Sequence, residues 1–137
     1  MTRPAGYGVP GGGESRAVPT VAVIDDEPGV RRSIERVLRS VGLAVVGFAS
    51  GEQFLALCRT EGVSCLVLDV HLAGMSGIEL HDALRKAGVV TPVVLITGHD
   101  DAGTLEAVRA SGVRCLHKPV EARELLATVA EAMASRH

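Results

Sequence analysis

Four short apolar runs of this chain each end in polar residues whose side chains suit phosphoryl or metal chemistry. The runs cover 20–24, 64–68, 92–96 and 113–117, and the residues after them are Asp25 and Asp26, Asp69, Thr97 and Lys118. If the runs are parallel strands, their carboxyl ends share one edge of a sheet, where open α/β sheets bind ligands. Three carboxylates, a hydroxyl and an ammonium at that edge predict a site for a divalent cation and a phosphoryl group.

The acidic residues contribute most to this prediction. Asp25 and Asp26 are adjacent, and Asp69 would add a third negative charge. Two unit charges about 5 Å apart repel by roughly 3 kcal/mol at an effective dielectric constant of about 20, so a bound cation would stabilise the cluster. Mg²⁺ fits because it bridges a few carboxylates and a phosphate. A carboxylate beside the metal, here Asp69, can act as a nucleophile and form an aspartyl phosphate.

Each of these residues also has an ordinary structural explanation. Asp25, Asp26 and Glu27 could form a solvated loop cap before a helix, and Asp69 could cap a turn. Thr97 belongs to a residue type that is common in strands, and Lys118 could be an exposed lysine at the start of a helix. The order, the spacing and the shared sheet edge of the five residues together favour a site.

The elements that must position these residues alternate along the chain. Helices are predicted at about 28–41, 50–62, 76–87, 102–110 and 120–135, with a further strand at 44–49. The apolar face of the first helix is predicted to contain Val30, Ile34, Val37, Leu38 and Val41. Five strands alternating with five helices predict a doubly wound α/β fold, in which helices cover both faces of a parallel sheet.

Composition limits the possible functions of the chain. It has 137 residues, is 47% hydrophobic, carries a formal net charge of −2, and contains two Phe, one Tyr and no Trp. These values predict one folded domain at 19–136 that does not itself bind nucleic acid by phosphate contacts or base stacking.

The Gly- and Pro-rich residues 1–18 predict a flexible leader. Cysteines without C-x-x-C spacing, and the lack of a membrane span or signal pattern, predict a cytoplasmic protein.

The combined motifs resemble the receiver domain of two-component response regulators, the CheY-like family. The segments that carry the resemblance are Val23-Ile24-Asp25-Asp26-Glu27, Leu68-Asp69-Val70 with Met75-Ser76-Gly77, Ile96-Thr97-Gly98, and Lys118-Pro119. The resemblance covers roughly 19–136. It implies the flavodoxin-like (βα)5 fold with strand order 2-1-3-4-5, and a cis bond before Pro119 is expected at the turn that follows the last strand.

The resemblance implies a role for each site residue. Asp69 would be the phosphoacceptor, and Thr97 and Lys118 would bind phosphoryl oxygens. The implied Mg²⁺ ligands are Asp26, Asp25 (through water or as a second carboxylate), Asp69 and the backbone carbonyl of His71.

The resemblance also implies partners for the chain. The phosphoryl donor would be a phosphohistidine on a sensor histidine kinase, a phosphotransfer protein or a small acyl phosphate. The chain would phosphorylate and dephosphorylate itself as a signalling domain and would not be a turnover enzyme. The surface at 101–135 would bind a downstream protein or form a homodimer. Arg31, Arg32 and Arg36 of the first helix would dock the kinase or, alternatively, form a solvated basic face.

Two positions differ from the family pattern, and two histidines stand at positions that the resemblance connects with the lifetime of the phosphoryl group. Cys115 stands where the family usually has an aromatic residue, so the usual Thr–aromatic relay is expected to be missing. Ala73 stands where the loop after Asp69 usually has Pro. By resemblance, His71 and His99 flank the path of the hydrolytic water and would tune the lifetime of the phosphoryl group; the alternative is that they are surface residues.

Three other functional classes agree less well with the sequence than a receiver does. A non-phosphorylated scaffold with the same fold would act only by protein–protein interaction, but the five site residues argue against it. An aspartate phosphatase lacks support because the acids lie on two strands without a D-x-D motif. A mononucleotide-binding protein is disfavoured because the first loop is acidic, whereas phosphate binding uses Gly and backbone N–H groups.

Overall fold

The computed structural model describes residues 18–98 and 101–135. The predicted leader at 1–18, apart from Val18, and the predicted role of His99 lie outside the described residues. In chain order the elements are β1 (Thr20–Ile24), α1 (Pro28–Arg39), β2 (Ala44–Phe48), α2 (Gly51–Leu57), a 3-10 turn (Thr60–Gly62), β3 (Cys65–Asp69), α3 (Gly77–Lys86), β4 (Val93–Thr97), α4 (Ala102–Ser111), β5 (Arg114–His117) and α5 (Ala122–Ala134).

All five strands are parallel and lie in the order β2-β1-β3-β4-β5. The predicted fold class and strand order are therefore confirmed. Every residue of β1, β3 and β4 is buried, which explains why these strands are apolar runs without alternation. None of the helices within the described ranges is long and apolar enough to cross a membrane.

Alternate residues of the strands supply two hydrophobic cores, one on each face of the sheet. Ala22 and Ile24 of β1 pack on the face covered by α2 and α3, together with Phe54, Leu80 and others. Val21 and Val23 pack on the opposite face, which α1 and α5 cover with Ile34, Leu38, Leu125 and Val129. Because side chains alternate along a strand, a single buried run stabilises both layers of helices.

The helix starts follow from local capping. The Ser76 hydroxyl accepts from the backbone N–H of Glu79, and the Glu79 carboxylate accepts from the backbone N–H of Ser76, which completes a capping box at α3. Ser50 caps α2 as predicted, accepting from the backbone N–H of Gln53 at 3.0 Å. Asp101 caps α4 through the backbone N–H of Thr104 at 2.8 Å.

Two predicted helix ends were wrong. The second helix ends at Leu57 and not near 62, because its buried residues are Gly51 and Phe54 while Leu57 is 69% exposed. A further turn would bury little apolar area. The first helix ends at Arg39, and Val41 is 55% exposed and does not face the core. Gly42 follows with a φ of +90°, which turns the chain towards β2.

Candidate functional site

Strand register brings the predicted site residues to similar heights at one edge of the sheet. Ile24 pairs with Leu68, so Asp25 and Asp69 follow at the same level of neighbouring strands. Thr97 pairs with His117, so Lys118 lies one residue beyond Thr97. A cavity of about 350 Å³ opens there and is lined by Asp26, Glu27, Asp69, His71, Gly98 and Lys118.

The ammonium of Lys118 lies among three carboxylates. Its Nζ is 2.8 Å from Glu27 Oε1, 3.1 Å from Asp69 Oδ2 and 3.4 Å from Asp25 Oδ2. The peptide bond that follows Lys118 is cis, as expected. Burial by itself lowers the pKa of Lys118, but the three carboxylates outweigh it and raise the pKa above its ordinary value. Lys118 is therefore a fixed positive charge at the floor of the cavity.

Asp25 is the most deeply buried acid of the site, with 1% of its surface exposed. Its Oδ1 accepts from the backbone N–H of Glu27 at 2.9 Å. Its Oδ2 is buried and accepts no hydrogen bond from any described residue. Burial raises the pKa of Asp25 from 3.8 to about 6; the charge of Asp69 adds to the rise, while the Glu27 N–H and Lys118 oppose it.

The carboxylates of the site fit a hard divalent cation. Asp25, Glu27 and Asp69 each offer an oxygen, and these oxygens lie within 4.8 Å of one another. The buried Asp25 Oδ2 needs a partner beyond Lys118, and oxygen donors are the ligands that Mg²⁺ and Ca²⁺ prefer. The residues present therefore form an acidic cluster that could bind a metal ion.

The side chain of Asp26 has a different hydrogen-bond partner from the side chains of Asp25 and Glu27. Its Oδ2 accepts from the backbone N–H of Ala73 at 3.1 Å, so its side chain ties the β1–α1 turn to the loop after β3. It lines the cavity, but the cluster of converging oxygens contains Glu27 in its place. Glu27 belongs to the sequence motif at 23–27 but was not among the predicted metal ligands. The available signal was its position directly before Pro28, where the chain turns back into α1.

Asp69 is held by a loop with little freedom. The residue is 3% exposed, and its Oδ1 accepts from the backbone N–H of His71 at 3.0 Å. Gly77 begins α3 directly behind the loop, and its N–H donates to Val70 O at 2.9 Å. A Cβ on Gly77 would collide with the carbonyl oxygen of Asp69 and lie 2.9 Å from Val70 Cα. Only glycine therefore allows α3 to start this close to the end of β3.

Thr97 and Gly98, at the end of β4, lie next to Lys118. Thr97 is fully buried at the end of β4, and its carbonyl oxygen accepts from the backbone N–H of Lys118 at 2.9 Å. A Cβ on Gly98 would lie 3.5 Å from Lys118 Cδ, so the glycine backbone flanks the lysine stem. The Thr97 side chain is not among the groups that line the cavity.

The remaining predicted positions lie around this centre. His71 is exposed, and its Nε2 is 3.3 Å from Thr104 Oγ1 of α4. Cys115 is half-buried against the core beneath α2 and α3, and burial raises the pKa of its thiol. Arg31 turns inward, and its Nη1 donates to the backbone carbonyl of Asp25 at 2.7 Å. Arg31 thus holds the acidic turn from the side of α1.

The parallel sheet, the acidic cluster and the lysine on a cis peptide bond define a receiver-type α/β domain. Residues 21–130 match the family model described as "Response regulator receiver domain". The chain belongs to the response regulator receiver family, and the predicted family is confirmed.

Curated relatives match most of this chain. The chain is 40% identical over 113 residues to Nodulation protein W of Bradyrhizobium diazoefficiens, covering 82% of this chain and 50% of the relative. It is 36% identical over 110 residues to the transcriptional regulatory protein FixJ of Azorhizobium caulinodans, covering 80% and 52%. The chain spans about half the length of the curated relatives it matches. The name of the second relative describes a transcriptional regulator.

Solved structures agree with the fold. The response regulator StyR superposes with a TM-score of 0.79 at 39% identity, covering 88% of this chain and 61% of that one. The FixJ-N structure gives a TM-score of 0.77 at 31% identity, covering 87% and 96%.

Proposed function

We propose that this chain is the phosphoacceptor receiver of a two-component phosphorelay, and that it accepts a phosphoryl group on Asp69 in a Mg²⁺-dependent reaction. The donor would be the phosphohistidine of a sensor histidine kinase or of a phosphotransfer protein. The observation that carries the proposal is the position of Lys118 Nζ, 3.1 Å from Asp69 Oδ2 and within 3.4 Å of Asp25 Oδ2. A nucleophilic carboxylate, a cationic partner and neighbouring acids stand in one cavity.

The reaction would proceed by in-line displacement at phosphorus. A carboxylate oxygen of Asp69 forms the new O–P bond while the P–N bond of the donor imidazole breaks, and the nitrogen keeps the electron pair. Lys118 then pairs with a phosphoryl oxygen in place of a carboxylate, since the phosphoryl group carries nearly two negative charges. The Thr97 hydroxyl would donate to another phosphoryl oxygen after a local movement of the β4 end.

The proposed metal ligands are side chains of Asp25, Glu27 and Asp69, with Asp26 and the backbone carbonyl of His71 as the further ligands that the family resemblance implies. When bound, Mg²⁺ offsets negative charge on the transferring group. Support comes from the converging carboxylate oxygens and from the buried Asp25 Oδ2, which lies 3.4 Å from Lys118 Nζ but accepts no hydrogen bond from the described residues. Hydrolysis would later remove the phosphoryl group, so the chain would reset itself as a signalling domain.

The partners belong to the same proposal. Arg32 and Arg36 are exposed on α1 and would meet the kinase beside the site, while Arg31 is engaged with Asp25. The surface at 101–135 would change on phosphorylation and bind a downstream protein or a second copy of the chain. We propose a cytoplasmic location and no direct contact of this chain with nucleic acid.

The decisive experiment is intact-mass analysis after incubation with Mg²⁺ and acetyl phosphate. We expect one phosphoryl group on the wild type and on Asp82→Asn, a matched control on the exposed face of α3, and none on Asp69→Asn. If acetyl phosphate adds nothing, Mg²⁺-dependent binding of beryllofluoride is the second measurement. Failure of both would favour the scaffold, which acts by interaction alone.

A further inference from the structure

A chain of hydrogen bonds joins the mouth of the cavity to the first turn of α4. His71, which lines the cavity, places Nε2 3.3 Å from Thr104 Oγ1. The same hydroxyl donates to Asp101 Oδ2 at 2.9 Å, and Asp101 Oδ1 accepts from the backbone N–H of Thr104 at 2.8 Å. Asp101 is the N-cap of α4, so these three residues connect the site to the start of a helix.

The direction of each bond follows from the number of protons. A hydroxyl has one proton to donate, and that of Thr104 goes to the Asp101 carboxylate. The contact with His71 therefore requires Nε2 to carry the hydrogen and donate it to Thr104 Oγ1. Two hydrogen bonds from Thr104 also lower the pKa of Asp101, which keeps the acceptor charged. Asp101 and Thr104 together select the Nε2–H form of His71.

The other end of this chain is the candidate phosphoacceptor. The backbone N–H of His71 donates to Asp69 Oδ1 at 3.0 Å. One residue thus contacts Asp69 through its backbone and α4 through its ring. None of the residues of α4, all within the described part of the chain, is buried. Since little packing holds this helix, a single side-chain bond at its first turn is a large share of its anchoring.

We propose that Asp101 and Thr104 are positioning residues for the imidazole of His71, and that the path Asp69–His71–Thr104–Asp101 links the state of Asp69 to α4. This inference rests on the phosphoacceptor role proposed above. A phosphoryl group on Asp69 changes the acceptor that the His71 N–H faces, so the loop shifts and the ring contact with Thr104 changes. Linkage requires that removal of the contact uncouples the two ends.

The test measures hydrogen exchange of residues 102–111 in the full chain, with and without Mg²⁺ and beryllofluoride. Thr104→Val removes the hydroxyl but keeps the backbone N–H that caps against Asp101, and Thr104→Ser keeps the hydroxyl. We expect beryllofluoride to change the exchange rate of wild-type α4. An ordinary hydrogen bond changes an equilibrium constant by about fivefold. The change in the exchange rate of α4 on beryllofluoride binding should therefore be about fivefold smaller in Thr104→Val than in the wild type. Thr104→Ser should retain the wild-type response.

A second variant tests the path from its other end. His71→Ala removes the ring and leaves the backbone N–H to Asp69, and it should lose the same response as Thr104→Val. If the two residues act through one contact, the double variant loses no more than either single variant. The ¹⁵N shifts of the His71 ring should show Nε2–H in the wild type and in Thr104→Ser, and a mixture of tautomers in Thr104→Val.

The outcomes separate this inference from the proposed function. A wild type that binds beryllofluoride, together with a Thr104→Val variant whose α4 responds equally, would overturn the link and leave the phosphoacceptor role intact. Additive losses in the double variant, or no response of wild-type α4 on binding, would also overturn the link. A wild type that neither binds beryllofluoride nor accepts a phosphoryl group would overturn both.

Discussion

Two regions of the molecule differ in how firmly their elements are held: a rigid side, made of β1, β3, β4, α1, α3 and α5, and a loose side, made of β5 and α4. All residues of β1, β3 and β4 are buried, and α1, α3 and α5 each contribute buried side chains. On the loose side, Leu116 is the one buried residue of β5, and α4 (102–111) has no buried residue and rests on half-buried ones such as Val108. The acids of the site therefore stand on rigid strands, whereas the helix beside them has little holding it in place.

This difference suits a domain that must keep a reactive site and also change its surface. Asp25 and Asp69 extend from central strands, so their spacing is set by the backbone register of β1 and β3. Lys118 follows edge strand β5, which α4 precedes in the chain. In the proposed function, a charge added at the acids of the rigid side would act through Lys118 on the loose side, where a small change of free energy shifts a conformational equilibrium.

The largest expected contrast is between a leucine of α1 and a leucine of α4. Leu38→Ala in α1 removes a fully buried side chain and should lower the free energy of unfolding by about 3 kcal/mol. Leu105→Ala in α4 removes a half-buried one and should cost about 1 kcal/mol. Urea unfolding followed by circular dichroism measures both. Equal losses would show that α4 is as firmly packed as α1 and would remove the contrast.

A matched pair of glycines sharpens the comparison. Gly77→Ala should cost about 2 kcal/mol or more, because the new Cβ collides with the end of β3 at the candidate phosphoacceptor. Gly103→Ala in α4 places its Cβ 3.5 Å from Asp101 Oδ1, an ordinary contact, and should gain up to about 1 kcal/mol from helix propensity. The urea midpoints should therefore move in opposite directions. A loss at Gly103 as large as that at Gly77 would contradict the description of α4 as loosely packed.

The third prediction concerns the charge buried on the rigid side. Burial raises the pKa of Asp25 from 3.8 to about 6, so the folded state favours the protonated carboxyl. The stability from this group is present below about pH 4 and is lost as the pH rises through about 6. Asp25→Asn should therefore exceed the wild type by about 2 kcal/mol at pH 8 and differ little at pH 4.

Urea unfolding in the presence of EDTA at several pH values measures this difference without bound metal. Asp82→Asn, on the exposed surface of α3, serves as the control and should follow the wild type at every pH. A gap between Asp25→Asn and the wild type that does not change with pH would show that Asp25 is not strained by its charge. Adding Mg²⁺ should stabilise the wild type and not Asp25→Asn.

The sequence predicts the central strands better than it predicts the short surface helix α2. Buried parallel strands appear as unbroken apolar runs, and polar residues at their ends mark the edge, so β1, β3 and β4 and the residues after them follow directly from pattern. The same pattern misplaces the end of α2, because Leu55 and Leu57 are apolar yet exposed. The sequence of a short surface helix does not show which of its apolar residues are buried.

Sequence patterns do not predict which side chains of different elements contact one another. Adjacent acids in the triplet at 25–27 look equivalent in sequence, but the backbone at the start of α1 sends Glu27 to Lys118 and Asp26 to Ala73. The bond between His71 and Thr104 joins residues 33 positions apart, and neither lies in an apolar run. Such pairs depend on side-chain direction after folding, which periodicity does not encode.

The smallest predicted effect compares two helix caps. Ser76→Ala removes one half of the capping box of α3, and Asp101→Ala removes the cap of α4; each should cost about 1 kcal/mol. Because α3 buries Leu80 and Leu84 in the core, the loss at Ser76 should appear in the global unfolding free energy. The loss at Asp101 should appear mainly as faster hydrogen exchange at 102–111, since α4 can open without unfolding the sheet. If Asp101→Ala instead lowered the urea midpoint as much as Ser76→Ala did, α4 would unfold only together with the core. The helix could not then respond separately to a charge at Asp69, and the division into a rigid site and a responsive side would fail.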